Sequence, residues 1–119
     1  RYADVDGKWY SPVEWSFESY ASDVMLSDVY AYPNPWRGEG VVHFHYVLAE
    51  NSNIKITIFD VSQEVVISLV SESKLAGIHD EDMWDGKNEK GDIVANGVYF
   101  YLIEYGDGER FVGKIAVLR

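Results

Sequence analysis

The sequence predicts an all-β domain, an antiparallel β-sandwich of about seven short strands. Three observations carry that prediction. Apolar residues alternate with a period of two along Val42 to Leu48, where Val42, Phe44, Tyr46 and Leu48 share one face and His43 and His45 the other, and again at Ile54, Ile56 and Ile58. Turn-forming groups such as Asn51-Ser52-Asn53, Asn96-Gly97 and Gly106-Asp107-Gly108 separate the apolar runs. The longest of those runs, Val98 to Ile103, is far shorter than the roughly 20 residues of a membrane-crossing helix.

Taken in order, residues 1–26 stand apart, because Trp9, Tyr10, Trp15, Phe17 and Tyr20 are interleaved with acids and serines without a regular period. They are read as a linker or the tail of an upstream domain. Packing of Trp15 and Phe17 along one sandwich edge is favoured, since so much aromatic surface is unfavourable in water. Residues 27–119 are read as the sandwich. Val41 to Leu48 and Ile54 to Phe59 are strands joined as a hairpin by Asn51-Ser52-Asn53. Val65 to Val70 is β-branched enough for a strand, and Leu75 to Gly77 is a turn. Ile78 to Trp84 extends again, with an acidic His79-Asp80-Glu81-Asp82 centre that predicts an edge or a bulge. Asp85 to Asp92 is a surface loop. Asn96-Gly97 is expected to form a tight hairpin turn, followed by a buried strand to Tyr105, a reversal at Gly106-Asp107-Gly108 and a closing strand from Phe111 to Leu118.

Composition narrows the function classes. The chain has 119 residues, 47% of them hydrophobic and 15% aromatic, which suits one packed core and no second domain. Lys and Arg number 10 against 20 for Asp and Glu, a formal charge of -10 that repels phosphate backbones and anionic lipid surfaces. Nucleic acid is therefore an unfavourable partner. The absence of cysteine removes disulfides and thiolate chemistry. Residues 1–10 lack the apolar stretch of a signal peptide, so export of this chain calls for a signal upstream of it.

Four motifs appear in order: Pro33-Asn34-Pro35-Trp36, Phe59-Asp60-Val61-Ser62, Trp84-Asp85-Gly86, and Asn96-Gly97-Val98-Tyr99, with Lys114-Ile115 in the closing strand. With them, residues from Leu26 to Arg119 resemble the immunoglobulin-like domain of the flagellar hook-capping protein (FlgD-type) and the related C-terminal sorting domains of type IX secretion cargo. The family usually carries a glycine after the second motif, where this chain has Gln63, so a tighter or differently shaped turn is expected there. The Trp84-Asp85-Gly86 loop is more typical of the hook-protein branch. Trp36 is expected to fold back and close the sandwich end, and Trp84 to anchor the loop that follows.

The resemblance implies an immunoglobulin-like sandwich acting as a noncatalytic C-terminal module of a larger exported protein. It would act in sorting or surface anchoring, on the outside of a bacterium reached through the periplasm. Its implied partners are upstream domains of the same polypeptide and the outer-membrane secretion machinery. A family-like ending at Arg119 is read as a natural C-terminus. Two other readings are a structural spacer or interaction domain of the hook-capping kind, and a carbohydrate-binding module using Trp9, Tyr10 and Trp15.

No enzyme is expected. Paired carboxylates need a cleft to act on a glycosidic bond, and serine, histidine and aspartate have no triad context here. No cofactor is expected either. His43 and His45, two apart on one strand face, are the candidate zinc pair if a third ligand arrives from a neighbouring strand. Asp85 and Asp92, Asp80-Glu81-Asp82 and Asp4-Val5-Asp6-Gly7 are the candidate calcium oxygens, although none completes an EF-hand loop. Loop structure and solubility account for the same acids.

Overall fold

The computed structural model describes residues 2–3, 9–10 and 25–119. It is all-β. A two-stranded antiparallel ladder joins β1 (Tyr2–Ala3) to β2 (Trp9–Tyr10). The other seven strands are β3 (Leu26–Tyr32), β4 (Val42–Leu48), β5 (Ser52–Phe59), β6 (Val65–Lys74), β7 (Gly77–Trp84), β8 (Gly97–Tyr105) and β9 (Glu109–Val117). They form two antiparallel sheets, ordered β3-β4-β7 and β6-β5-β8-β9, an arrangement compatible with an immunoglobulin-like sandwich. Leu26, at the head of β3, is buried in the core. The expected packing of Trp15 and Phe17 lies outside the described residues.

Each inner face follows from period-two patterning. Val42, Phe44, Tyr46 and Leu48 of β4 meet Ile54, Ile56 and Ile58 of β5 across the core, all at most 2% exposed. Tyr99, Tyr101, Ile103 and Tyr105 of β8, with Ile115 and Val117 of β9, complete it. Burial pushes the Tyr101 hydroxyl up to about 12, so that it stays neutral. The outward side of β8 is mixed: Leu102 is buried but Val98 is exposed.

Two expected hairpins are not formed. β4 pairs with β3 and β7, whereas β5 pairs with β6 and β8, so Asn51-Ser52-Asn53 carries the chain from one sheet to the other. The two apolar faces are stacked across the core instead of lying side by side, which buries both. Likewise Asn96-Gly97 ends a sheet-to-sheet crossing from β7 and does not turn a hairpin, because β8 pairs with β5 and β9. The acidic β7 is an edge strand, and its register with β4 shifts between Phe44 and Tyr46, as its composition predicts.

The β5–β6 turn closes without glycine. Asp60 Oδ1 accepts from the Ser62 and Glu64 amides at 2.8 and 3.0 Å, and Gln63 adopts φ 67°, the left-handed conformation that glycine takes freely. A residue with a Cβ held in this conformation carries backbone strain. Gln63→Gly is expected to stabilise the chain by about 0.5–1 kcal/mol. The check is a higher urea midpoint at unchanged slope; an unchanged or lower midpoint contradicts it.

Candidate functional site

The separated sequence motifs converge at one end of the sandwich. β3 ends at Tyr32, and the chain then leaves its own sheet through Pro33 and Pro35, both preceded by cis peptide bonds, to reach the free edge of β9. There Asn34 donates through Nδ2 to the Lys114 carbonyl at 2.8 Å, and its Oδ1 accepts from the Ala116 amide at 3.0 Å. Trp36 continues the ladder. Its amide donates to the Ala116 carbonyl at 2.8 Å and its carbonyl accepts from the Leu118 amide at 2.9 Å. One amide side chain and one residue of parallel bridge thus satisfy successive groups on an edge that would otherwise be open to pairing with another chain.

The Trp36 side chain, 1% exposed, turns inward and shares its indole N–H between the carbonyls of Glu39 and Gly40. Its ring lies 6.5 Å from that of Trp84, whose own N–H donates to the Lys87 carbonyl at 2.9 Å. Trp84 in turn meets Tyr99 edge-on at 5.8 Å. Gly86 packs directly on the Trp36 ring: a Cβ at this position would sit 2.2 Å from Cη2. Its φ of 80° is also one that side chains rarely adopt. Both expectations about the tryptophans therefore hold: Trp36 closes the sandwich end and Trp84 anchors the loop.

Asn96 and Tyr99 complete the corner. Asn96 Oδ1 accepts from the Arg119 amide at 2.9 Å, and the Arg119 guanidinium donates to the Val94 carbonyl at 2.8 Å. The Tyr99 hydroxyl donates to the Ala95 carbonyl, four residues upstream, at 2.7 Å. This is the tyrosine corner of immunoglobulin-like sandwiches, a role that sequence reading missed although Asn-Gly-Val-Tyr was in view. Burial, reinforced by the Asp60 charge, raises the Tyr99 hydroxyl pKa despite the opposing effect of Arg119. Asp85 serves the loop, accepting from the Lys87 amide at 3.1 Å. The Lys114 side chain is exposed; only its backbone is engaged by Asn34.

A second cluster has no counterpart in the sequence reading. Lys74, 7% exposed at the end of β6, places its ammonium 2.8 Å from Glu81, 3.0 Å from Asp82 and 3.0 Å from Glu72. Asp82, 6% exposed, also accepts from the Tyr46 hydroxyl at 2.6 Å. His79 lies under Tyr46 with Nδ1 2.6 Å from Glu81 and Nε2 2.6 Å from the Leu75 carbonyl. Burial alone would lower the Lys74 pKa, but its carboxylate partners outweigh that and raise it. Burial alone would raise Glu81, yet hydrogen bonds from Lys74 and His79 hold it at about 2. The network ties the edge of one sheet to the edge of the other.

His43 and His45 lie on the outer face of β4, each stacked on a tyrosine of β3. His79 is committed to Glu81 and Leu75. Among the described residues no three His, Cys, Asp or Glu side chains are grouped to hold a metal ion. The Asp92 amide donates to Asn88 Oδ1 at 3.0 Å within the loop that follows β7. The Asp4-Val5-Asp6-Gly7 candidate and Trp15 lie outside the described residues, as do the side chains of Trp9 and Tyr10. No helix among the described residues is long and apolar enough to cross a membrane.

Neither a protein-family model nor a curated protein sequence matches the chain. Among solved structures it is similar to dimeric latent PorU from Porphyromonas gingivalis, at a TM-score of 0.61 and 21% identity over 76% of this chain and 9% of that one. The chain thus shares its sandwich fold with a small part of a much longer protein.

Proposed function

We propose that the chain is a noncatalytic module of a larger exported protein, recognised by type IX-type secretion machinery and directing its cargo to the bacterial surface. One observation carries this reading: residues singled out by family resemblance, up to 80 positions apart, meet in a single corner that grips the Lys114 to Arg119 backbone. Most of the residues that carry the resemblance therefore belong to one structural unit. A fold shared with 9% of a long chain fits a module carried by a larger protein.

The gripped segment is what a receptor would read, through side chains left free of the core. Removing Lys114 to Arg119 altogether is uninformative, because Ile115 and Val117 are fully buried and the sandwich would be lost with them. Lys114→Glu, at an exposed side chain, keeps the core. A reporter fused to this variant is expected to reach the surface several-fold less than wild type, while Lys55→Glu, elsewhere on the same sheet, delivers normally. Equal delivery by both variants supports a spacer role instead.

A further inference from the structure

The two sheets differ in charge. The strands of the three-stranded sheet contain Asp28, Asp80, Glu81 and Asp82 and no lysine or arginine. The strands of the other sheet carry four basic residues against three acidic ones. Lys74 reaches across to compensate Glu81 and Asp82. Among the described residues Asp80 has no such cation; its carboxylate accepts only a 3.2 Å hydrogen bond from the Tyr32 hydroxyl.

Beside Asp80 lies an aromatic surface. Tyr30 stacks on His45 at 4.5 Å and 13°, and Tyr32 on His43 at 5.1 Å and 21°. The tyrosines stand 5.8 Å apart. One face of each rests on an imidazole, yet Tyr30 is 49% and Tyr32 38% exposed. The stacking fixes the rings before any ligand arrives, and His45 is itself held by a 2.8 Å contact with the Asp28 carbonyl. Preorganised tyrosine faces next to an uncompensated carboxylate match a flat cation, which gains from the ring quadrupole and the charge together. Arginine suits this better than lysine, because its planar guanidinium can stack and still donate in-plane to a carboxylate.

We infer that the outer face of β3-β4-β7 docks an arginine side chain of a partner protein, the guanidinium stacking on Tyr30 or Tyr32 and pairing with Asp80. The net charge of -10 on the chain favours the approach of such a partner. This docking face is independent of the sorting role, since it uses none of the residues in the motif corner.

The test is a titration of the isotope-labelled 119-residue chain with a tetra-arginine peptide, followed by NMR, with tetra-lysine and maltohexaose as comparison ligands. Shifts are expected to centre on Tyr30, Tyr32, His43 and His45, with tetra-lysine binding more weakly. Tyr30→Ser should weaken tetra-arginine binding about 3-fold and Asp80→Asn about 5-fold, whereas Glu104→Gln on the opposite sheet leaves it unchanged. Tyr30 and Asp80 are exposed and Glu104 is half-buried, so none of the three changes opens the core. An equal loss with Glu104→Gln, or equal binding of tetra-lysine, means diffuse attraction to an acidic protein and overturns the proposal. Shifts at these residues with maltohexaose and not with tetra-arginine overturn it in favour of a glycan platform.

Discussion

Gly86→Ala is expected to lower the unfolding free energy by about 2–5 kcal/mol, a large share of what a domain of this size possesses. Two independent effects combine. The new Cβ would lie 2.2 and 2.3 Å from Cη2 and Cζ3 of Trp36, and a residue with a Cβ would have to hold φ at 80°. The indole has little room to retreat, because its N–H is shared by Glu39 and Gly40, the Trp84 ring is 6.5 Å away and Trp36 is 1% exposed. Chemical denaturation of the single variants and of Gly86→Ala combined with Trp36→Leu separates the effects. The combined change should cost at least about 1 kcal/mol less than the sum of the two, since shortening Trp36 removes the clash. Strict additivity would mean that the glycine is required for φ alone.

Lys74→Met should destabilise the chain by about 3–5 kcal/mol, the range for breaking a buried pair from one side. Asp82 would keep its charge at 6% exposure with the Tyr46 hydroxyl as its remaining side-chain donor among the described residues. Adding Asp82→Asn removes that charge while keeping an acceptor for Tyr46, and should recover most of the loss. The same network sets an acid limb. Glu81 is held at about 2 in the fold against an ordinary 4.5, so its contribution is complete above pH 4.5 and lost as pH falls toward 2. Lys74→Met removes the largest interaction lowering Glu81, so its stability should fall less steeply across that window. Parallel acid limbs in thermal melts of wild type and variant would contradict this role for the lysine.

Much of the sandwich was legible because period two reveals which side of a strand is apolar. It does not reveal which sheet the strand joins. Val42 to Leu48 and Ile54 to Phe59 look like neighbours in a hairpin, yet they face each other across the core, since either arrangement buries the same side chains. Asn96-Gly97 misled for a related reason: the asparagine is used for its side chain, which closes on Arg119, and not for its backbone. Trp36 and Trp84 were legible as anchors because so large an apolar group next to a turn has to be buried. The Lys74 network was not, because its members meet only once β6 and β7 are placed on opposite sheets. The tyrosine–histidine face required the β3–β4 register, which pairs Tyr30 with His45 and Tyr32 with His43.

Recognition by the secretion machinery is measured by fusing a reporter to the 119-residue chain and following its surface exposure in a type IX-competent bacterium and in a matched strain lacking the secretion pore. Surface reporter is expected in the first strain and periplasmic reporter in the second. Reporter retained in the periplasm of both strains, with the domain shown to be folded, would contradict that recognition.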